Sequence, residues 1–249
     1  MTISNDNDLE ALREVGGIVA RVLKAMAAAL EPGMTTKELD DLGRGLLEAE
    51  GARSAPEVSY GFPGATCISV NEEVAHGIPG ARLIQAGDLV NIDVSAEKDG
   101  YFADTGGSFA VPPVSPRIAR LCRDGRRAMW EGIRAVRPGQ PLNRIGDRVE
   151  RFARRNGYSL IRNLASHGTG RALHEEPGVI PTWREPRERR LIEDGMVFTV
   201  EPFLSTGADW AEDAGDGWTL VTDPAFRSVQ YEHTLVATRR GPVILTQAH

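Results

Sequence analysis

From Asp8 onward, apolar residues fall at Leu9, Leu12, Val15, Val19, Val22, Leu23, Met26 and Leu30, the spacing of one helix face. Pro32-Gly33 stops that helix, and residues 1–7 ahead of it read as a loose tail. Thr35 and Glu38 stand three apart, the spacing of a capping box, and open a second helix that ends before Gly51. Strands and turns follow to about Val111. A third helix starts near Ser115-Pro116 and runs to Pro138-Gly139, and a fourth, around Leu142 to Asn156, stops at Gly157.

That order occurs twice, at an offset of 106 residues. Pro32-Gly33 matches Pro138-Gly139, Leu39 matches Ile145, Leu46 matches Phe152, and Gly51 matches Gly157. Pro-Gly after a helix is common, but four matches at one offset favour a duplication. The expectation is one α+β domain over residues 8–249, with half-domains at about 8–111 and 115–247. Its two pseudo-twofold-related helix-helix-strand halves would share an antiparallel sheet, with helices on one side and a cleft between the halves.

Within the first half, "IDVSAEKDGYFADTGGSF" (92–109) reads as a β-hairpin carrying Asp93 on one arm and Asp104 on the other. Val90, Ile92 and Val94 share one face; Asn91, Asp93 and Ser95 share the other. A turn at Lys98-Asp99 sets the two aspartates opposite each other, and a turn at Asp99-Gly100 makes them diagonal neighbours. In either register they interact, and buried like charges repel, raise a pKa or share a cation. Three further stretches bring candidate ligands: "MVFTVEPFL" (196–204) carries Glu201, "VQYEHTLVAT" (229–238) carries Glu232, and "SHGTGRALHEEP" (166–177) carries His167 and His174. Each alone reads as an exposed strand acid or a satisfied loop histidine. Two Asp, two Glu and one His together suit a pair of borderline divalent ions such as Mn, Fe, Co or Zn.

Composition narrows the setting. Hydrophobic content of 41% and charged content of 26% are ordinary for a globular enzyme, and a net charge of -6 argues against nucleic acid. "REPRERR" (184–190) reads as a solvated loop. With only Cys67 and Cys122, no disulfide framework is expected and a reducing cytoplasm fits. No signal peptide and no run of about 18 apolar residues is seen, so no membrane span is expected. "HEEPG" lacks the second histidine of a zincin helix, and "GTGRAL" is not a dinucleotide fingerprint.

Taken together these motifs resemble the type I methionine aminopeptidases, over about residues 8 to 247. "TCISVNEEVAHGIP" (66–79), carrying His76, is similar to a further signature of that family. The resemblance implies the pita-bread fold, which agrees with the internal repeat. It implies a hydrolase that removes N-terminal methionine ahead of a small second residue, through a metal-bridged hydroxide attacking the first peptide bond.

By resemblance, Asp93, Asp104, His167, Glu201 and Glu232 hold two divalent ions (Co, Mn, Fe or Zn). Asp93 chelates one ion, and Asp104 and Glu232 bridge. Glu201 also serves as general base and acid. His174 steadies the tetrahedral oxyanion and His76 contacts the departing nitrogen. Phe62, Cys67, Leu173 and Trp218 enclose the methionine side chain, and Asn71 and Ser228 stand at positions associated with a monovalent cation. The expected partners are N-terminal peptides of newly made proteins near the ribosome, met by a cytoplasmic monomer with no specific nucleic acid and no membrane. The chain departs from the family at Ser166, where glycine is usual, at Leu173, where an aromatic is usual, and at "DTGGSF" (104–109), where the segment after the second Asp is usually more polar. An X-Pro peptidase with the same ligands would carry an added N-terminal domain. A binding module of this fold would tend to lose ligands, and all five are present.

Overall fold

This computed structural model describes residues 1–3 and 5–247. Helix α1 (Asp6–Ala29) buries Leu12, Val15, Ile18, Val19, Val22 and Met26, the stripe its apolar spacing predicts. Helix α2 (Thr36–Ala49) starts on the complete Thr35–Glu38 capping box. A short helix that the sequence pattern did not predict, α3 (Ala55–Tyr60), is capped by the Ser54 hydroxyl and ended by Gly61 in the left-handed conformation. Its six residues are too few to show a periodicity. Helices α4 (Pro116–Ala135) and α5 (Asn143–Asn156) repeat the α1–α2 arrangement. At the matched positions, Gly33 and Gly139 both have positive φ, as do Gly51 and Gly157, while Leu39 and Ile145 are both fully buried.

All strand pairs among the described residues are antiparallel. Leu89–Lys98 is the centre of the first half's sheet, pairing with Tyr101–Ala110 on one edge and with Cys67–Val70 and Arg53–Ser54 on the other. The second half has a five-stranded sheet in the order Val243–Ile244, His233–Val236, Val197–Val200, Ser166–Gly168, Glu175–Ile180. The halves meet along a seam between Tyr101–Ala110 and residues 231–234. There Glu232 N donates to Gly106 O at 3.0 Å and Asp104 N donates to Thr234 Oγ1 at 2.9 Å. The Thr105 and Thr234 hydroxyls donate back, to Glu232 O and Asp104 O.

Two apolar cores lie between helices and sheet. One holds Val15, Val19, Leu39, Ile68, Val90, Ile92 and Val94; the other holds Leu121, Met129, Ile133, Ile145, Val149, Phe198 and Val200. Helix α1 comes so close to the chain end that a Cβ on Gly16 would lie 2.5 Å from Leu245 O, so only glycine fits. Residues Met1–Ile3 depart from the expected loose tail. Thr2 bridges Met196, Ile3 N donates to Gly195 O, and Val197 N donates to Met1 O, so this segment finds backbone partners along Gly195–Val197.

Candidate metal centre and substrate cavity

The hairpin register decides how the two aspartates meet. Asp99 and Gly100 both have positive φ, as a two-residue primed turn requires, and Lys98 pairs with Tyr101. Ser95 therefore stands opposite Asp104 and Gly106 opposite Asp93, which is the diagonal arrangement. Val90, Ile92 and Val94 fill the first core, so the pleat turns Asn91, Asp93 and Ser95 to the opposite face. Asp93 and Asp104 lie within hydrogen-bonding reach of each other. Burial and then the charge of Asp104 push the Asp93 carboxyl well above the usual range; burial lifts Asp104 to about 6.

The second half supplies the remaining candidate ligands from its strands and the residues beside them. His167 sits in Ser166–Gly168 with its Nδ1 3.1 Å from Gly168 O. A carbonyl can only accept, so Nδ1 carries the proton and Nε2 presents a lone pair. That Nε2 lies 3.4 Å from Glu201 Oε1 and 3.7 Å from Asp104 Oδ2. Burial and the neighbouring His174 drop the His167 pKa to about 3, which keeps the imidazole neutral and ligand-ready. Glu201 follows strand Val197–Val200; Ser166 Oγ accepts from its backbone N–H at 2.9 Å and Thr199 Oγ1 donates to its Oε1 at 3.0 Å. The serine that departs from the family pattern is thus a fixed hydrogen-bond acceptor. Glu232 receives Gln230 Nε2 on Oε2 at 2.9 Å. Burial is the first cause that raises both glutamates, and Asp104 the second.

Ligand atoms of Asp104, His167 and Glu232 all lie within 4.8 Å of one another. Two buried oxygens in this cluster, Asp104 Oδ1 and Glu232 Oε1, have no hydrogen-bond partner. A buried carboxylate oxygen without a donor is costly, and four gathered carboxylates repel. Divalent cations remove both problems at once. The donor set of carboxylate oxygens and one neutral imidazole therefore fits such ions.

Asp104 and His167 of this cluster line a cavity of about 650 Å³ together with Tyr60, Phe62, Cys67, His76, Asp93, Leu173, His174, Glu201 and Trp218, among others. Phe62 and Trp218 meet edge to face with centroids 5.2 Å apart. Cys67 pairs in register with Asp93, and burial raises its thiol pKa well above the usual value. His76 stands on a positive-φ residue, φ 55°; its ring is open to the cavity yet desolvated by the walls, which lowers its pKa. His174 stacks on His167 with centroids 3.9 Å apart, and desolvation, with His76 second, lowers its pKa. Asn71, elsewhere, uses its side chain to donate to Asp88 Oδ1 and accept from Leu89 N. The buried Ser228 hydroxyl has no partner.

Two side chains with a role here were missed from sequence. Tyr60 Oη lies 2.7 Å from His174 Nδ1, a contact across 114 residues that no local pattern announces. Gln230, by contrast, ends strand Ser228–Gln230 only two residues before Glu232, so its nearness to that glutamate was open to view in the sequence. Gln230 Oε1 accepts from Asn91 Nδ2 at 2.9 Å while its Nε2 holds Glu232. The space for that amide exists because residue 106 is glycine: a Cβ there would lie 2.4 Å from Gln230 Oε1.

The sequence profile described as "Metallopeptidase family M24" matches residues 10–239. The chain is 45% identical to "Methionine aminopeptidase 2" of Bacillus subtilis over 99% of its length and 100% of that protein. The solved methionine aminopeptidase from Rickettsia prowazekii superposes with a TM-score of 0.93 at 34% identity, covering 99% of this chain and 100% of that one. A prolidase from Pyrococcus furiosus, at 20% identity and a TM-score of 0.78, shares the fold alone, and this chain spans 66% of its length.

Proposed function

The chain belongs to metallopeptidase family M24, and from that membership we propose that its cavity removes the N-terminal methionine of peptides with a small second residue. The observation that carries the reading is the pair of partnerless buried oxygens, Asp104 Oδ1 and Glu232 Oε1, beside the lone pair of His167. The family implies divalent metal, and the number of ions assigned is two. Asp93, Asp104, His167, Glu201 and Glu232 would hold them. Bound there, such ions supply Lewis acidity, which acidifies water near neutral pH and anchors a free α-amine.

The protein's own groups do the rest. Glu201, raised in pKa and held through Oε1 by Thr199, takes the proton of the attacking water and delivers it to the leaving nitrogen. Tyr60 donates its phenolic proton to His174 Nδ1, which leaves the Nε2–H of a neutral ring to bond the carbonyl oxygen as its charge grows. His76 contacts the departing nitrogen. Phe62, Cys67, Leu173 and Trp218 exclude water around the methionine side chain. Asn71 and Ser228 would brace the site around a monovalent cation. The substrates are newly made chains met near the ribosome by a cytoplasmic monomer. No helix of the described residues is long and apolar enough to cross a membrane.

The test combines metal content with turnover. Elemental analysis should give two divalent ions per chain, and Met-Ala-Ser should be cleaved while Met-Lys-Ser and Ala-Pro peptides are not. His167→Ala should lose at least one ion and nearly all turnover. Glu201→Gln should lose at least the 10²–10⁴-fold that general acid–base work contributes. Full activity in His167→Ala would overturn the ligand assignment.

A further inference from the structure

The helix side of the sheet carries another cavity, of about 480 Å³, that the mechanism leaves unused. It opens between α1 and α4, with Leu23 on one wall, Met129 and Trp130 on the other, and Gly107, Phe109 and Tyr231 in its floor. Its floor is aromatic and its rim is cationic. Lys24 and Arg126 are exposed at the rim, and among the described residues neither forms an ion pair with a carboxylate. Arg126 lies over the Tyr231 ring, 5.1 Å from the centroid, so its guanidinium is held against the apolar wall. In an adjoining hollow Arg123 and Arg127 pair with Asp124 and Arg134 with Glu131, so the unpaired rim charge is that of Lys24 and Arg126. The one acid touching the main cavity, Glu232, is buried and binds Gln230 among the metal-site residues. On a chain of net charge -6, this is a local field of the opposite sign.

The departure at "DTGGSF" opens this space. A Cβ on Gly107 would lie 3.1 Å from Phe109 Cζ and 3.7 Å from Tyr231 Cδ1, two floor residues, so any side chain there would project into the cavity. Glycine leaves the aromatic floor bare.

We propose that this cavity binds a small aromatic acid. Its ring system lies on Phe109, Trp130 and Tyr231, where stacking and apolar burial hold it. Its carboxylate or sulfonate pairs with Arg126 and Lys24. The ligand rests on the segments that carry Asp104 and Glu232, but on the face away from the catalytic cavity.

The metal-loaded full-length protein titrated with 8-anilinonaphthalene-1-sulfonate tests this by fluorescence. Binding should saturate at one site per chain and weaken as salt rises. Arg126→Ala should weaken it at least tenfold and leave Met-Ala-Ser turnover within twofold. Gly107→Leu, which fills the floor without touching the rim charge, should weaken it to a similar extent. N-phenyl-1-naphthylamine, the same rings without the sulfonate, should bind at least tenfold less tightly. Equal affinity in Arg126→Ala, equal affinity for the neutral analogue, or displacement of the probe by free methionine would each overturn the proposal.

Discussion

Gly106→Ala adds one methyl group and should disable a large part of the site. The new Cβ would lie 2.4, 2.5 and 2.8 Å from Oε1, Nε2 and Cδ of Gln230. The atoms in its way end a flexible side chain, so the backbone need not yield; the Gln230 amide must leave instead. Two buried hydrogen bonds go with it, one from Asn91 Nδ2 and one to Glu232 Oε2. A neutral buried bond contributes about 0.5–1.5 kcal/mol and one to a charged group about 1.5–3, so the loss is about 2–4.5 kcal/mol. For a chain of this size that corresponds to a fall in melting temperature of about 5–15 °C. Glu232 would also lose the donor that orients it, and removing such an outer partner typically costs 10–100-fold in metal affinity or activity. Thermal unfolding of metal-loaded protein and kcat/KM on Met-Ala-Ser measure the two effects. The double variant Gly106→Ala/Gln230→Ala gives the sharper comparison, because the clash has no partner once the amide is gone. It should melt no lower than Gln230→Ala alone. Additive losses in the double variant, or a wild-type melting temperature in Gly106→Ala, would refute the reasoning.

Tyr60→Phe should remove the hydrogen bond that His174 Nδ1 accepts and lower kcat about tenfold, the equivalent of one hydrogen bond, with KM little changed; a raised KM at constant kcat would mean that Tyr60 only binds substrate. Leu173→Phe should favour methionyl over norleucyl peptides by roughly two- to tenfold, since an aromatic–sulfur contact contributes about 0.3–1.5 kcal/mol. An unchanged ratio would show that residue 173 does not meet the side chain. Metal-free protein should lose stability as pH rises above 7. There His167 and His233, with pKa values of about 3 and 4, are neutral whether folded or not. Asp93, Glu201 and Glu232, raised in the fold, must give up protons that the unfolded chain has already lost. Thermal midpoints at pH 7 and 9 should fall after chelation and flatten when Co²⁺ or Mn²⁺ is restored; a midpoint that rises with pH after chelation would contradict the raised carboxylates.

What the sequence revealed follows from the range of each interaction. The four long helices were legible because each carries a stripe and a stop within its own span, as Thr35 with Glu38 and Pro32-Gly33 show. The gathering of Asp104, His167 and Glu232 was legible because each lies in a β-rich stretch with its own pattern. The hairpin register stayed open between two turns until the positive φ of Asp99 and Gly100 selected one. Contacts made at a distance left no trace. Gly106 reads as a loss of polarity until Gln230, 124 residues on, is seen in the space it leaves. The same holds for Tyr60 against His174, and for the rim that α1 and α4 form over Gly107.

The seam between the halves has a mechanical consequence. Asp93 and Asp104 belong to one side of it, Glu201 and Glu232 to the other, and backbone bonds cross it at only a few points along Tyr101–Ala110. An ion held by carboxylates of both sides would act as a rivet through that joint. With the rivet in place, the walls of the cavity would be fixed relative to each other and the spacing of Asp104 from His167 set. With it withdrawn, the like charges of Asp104, Glu201 and Glu232 would repel across that joint. The stiffness of that joint would therefore track the supply of metal.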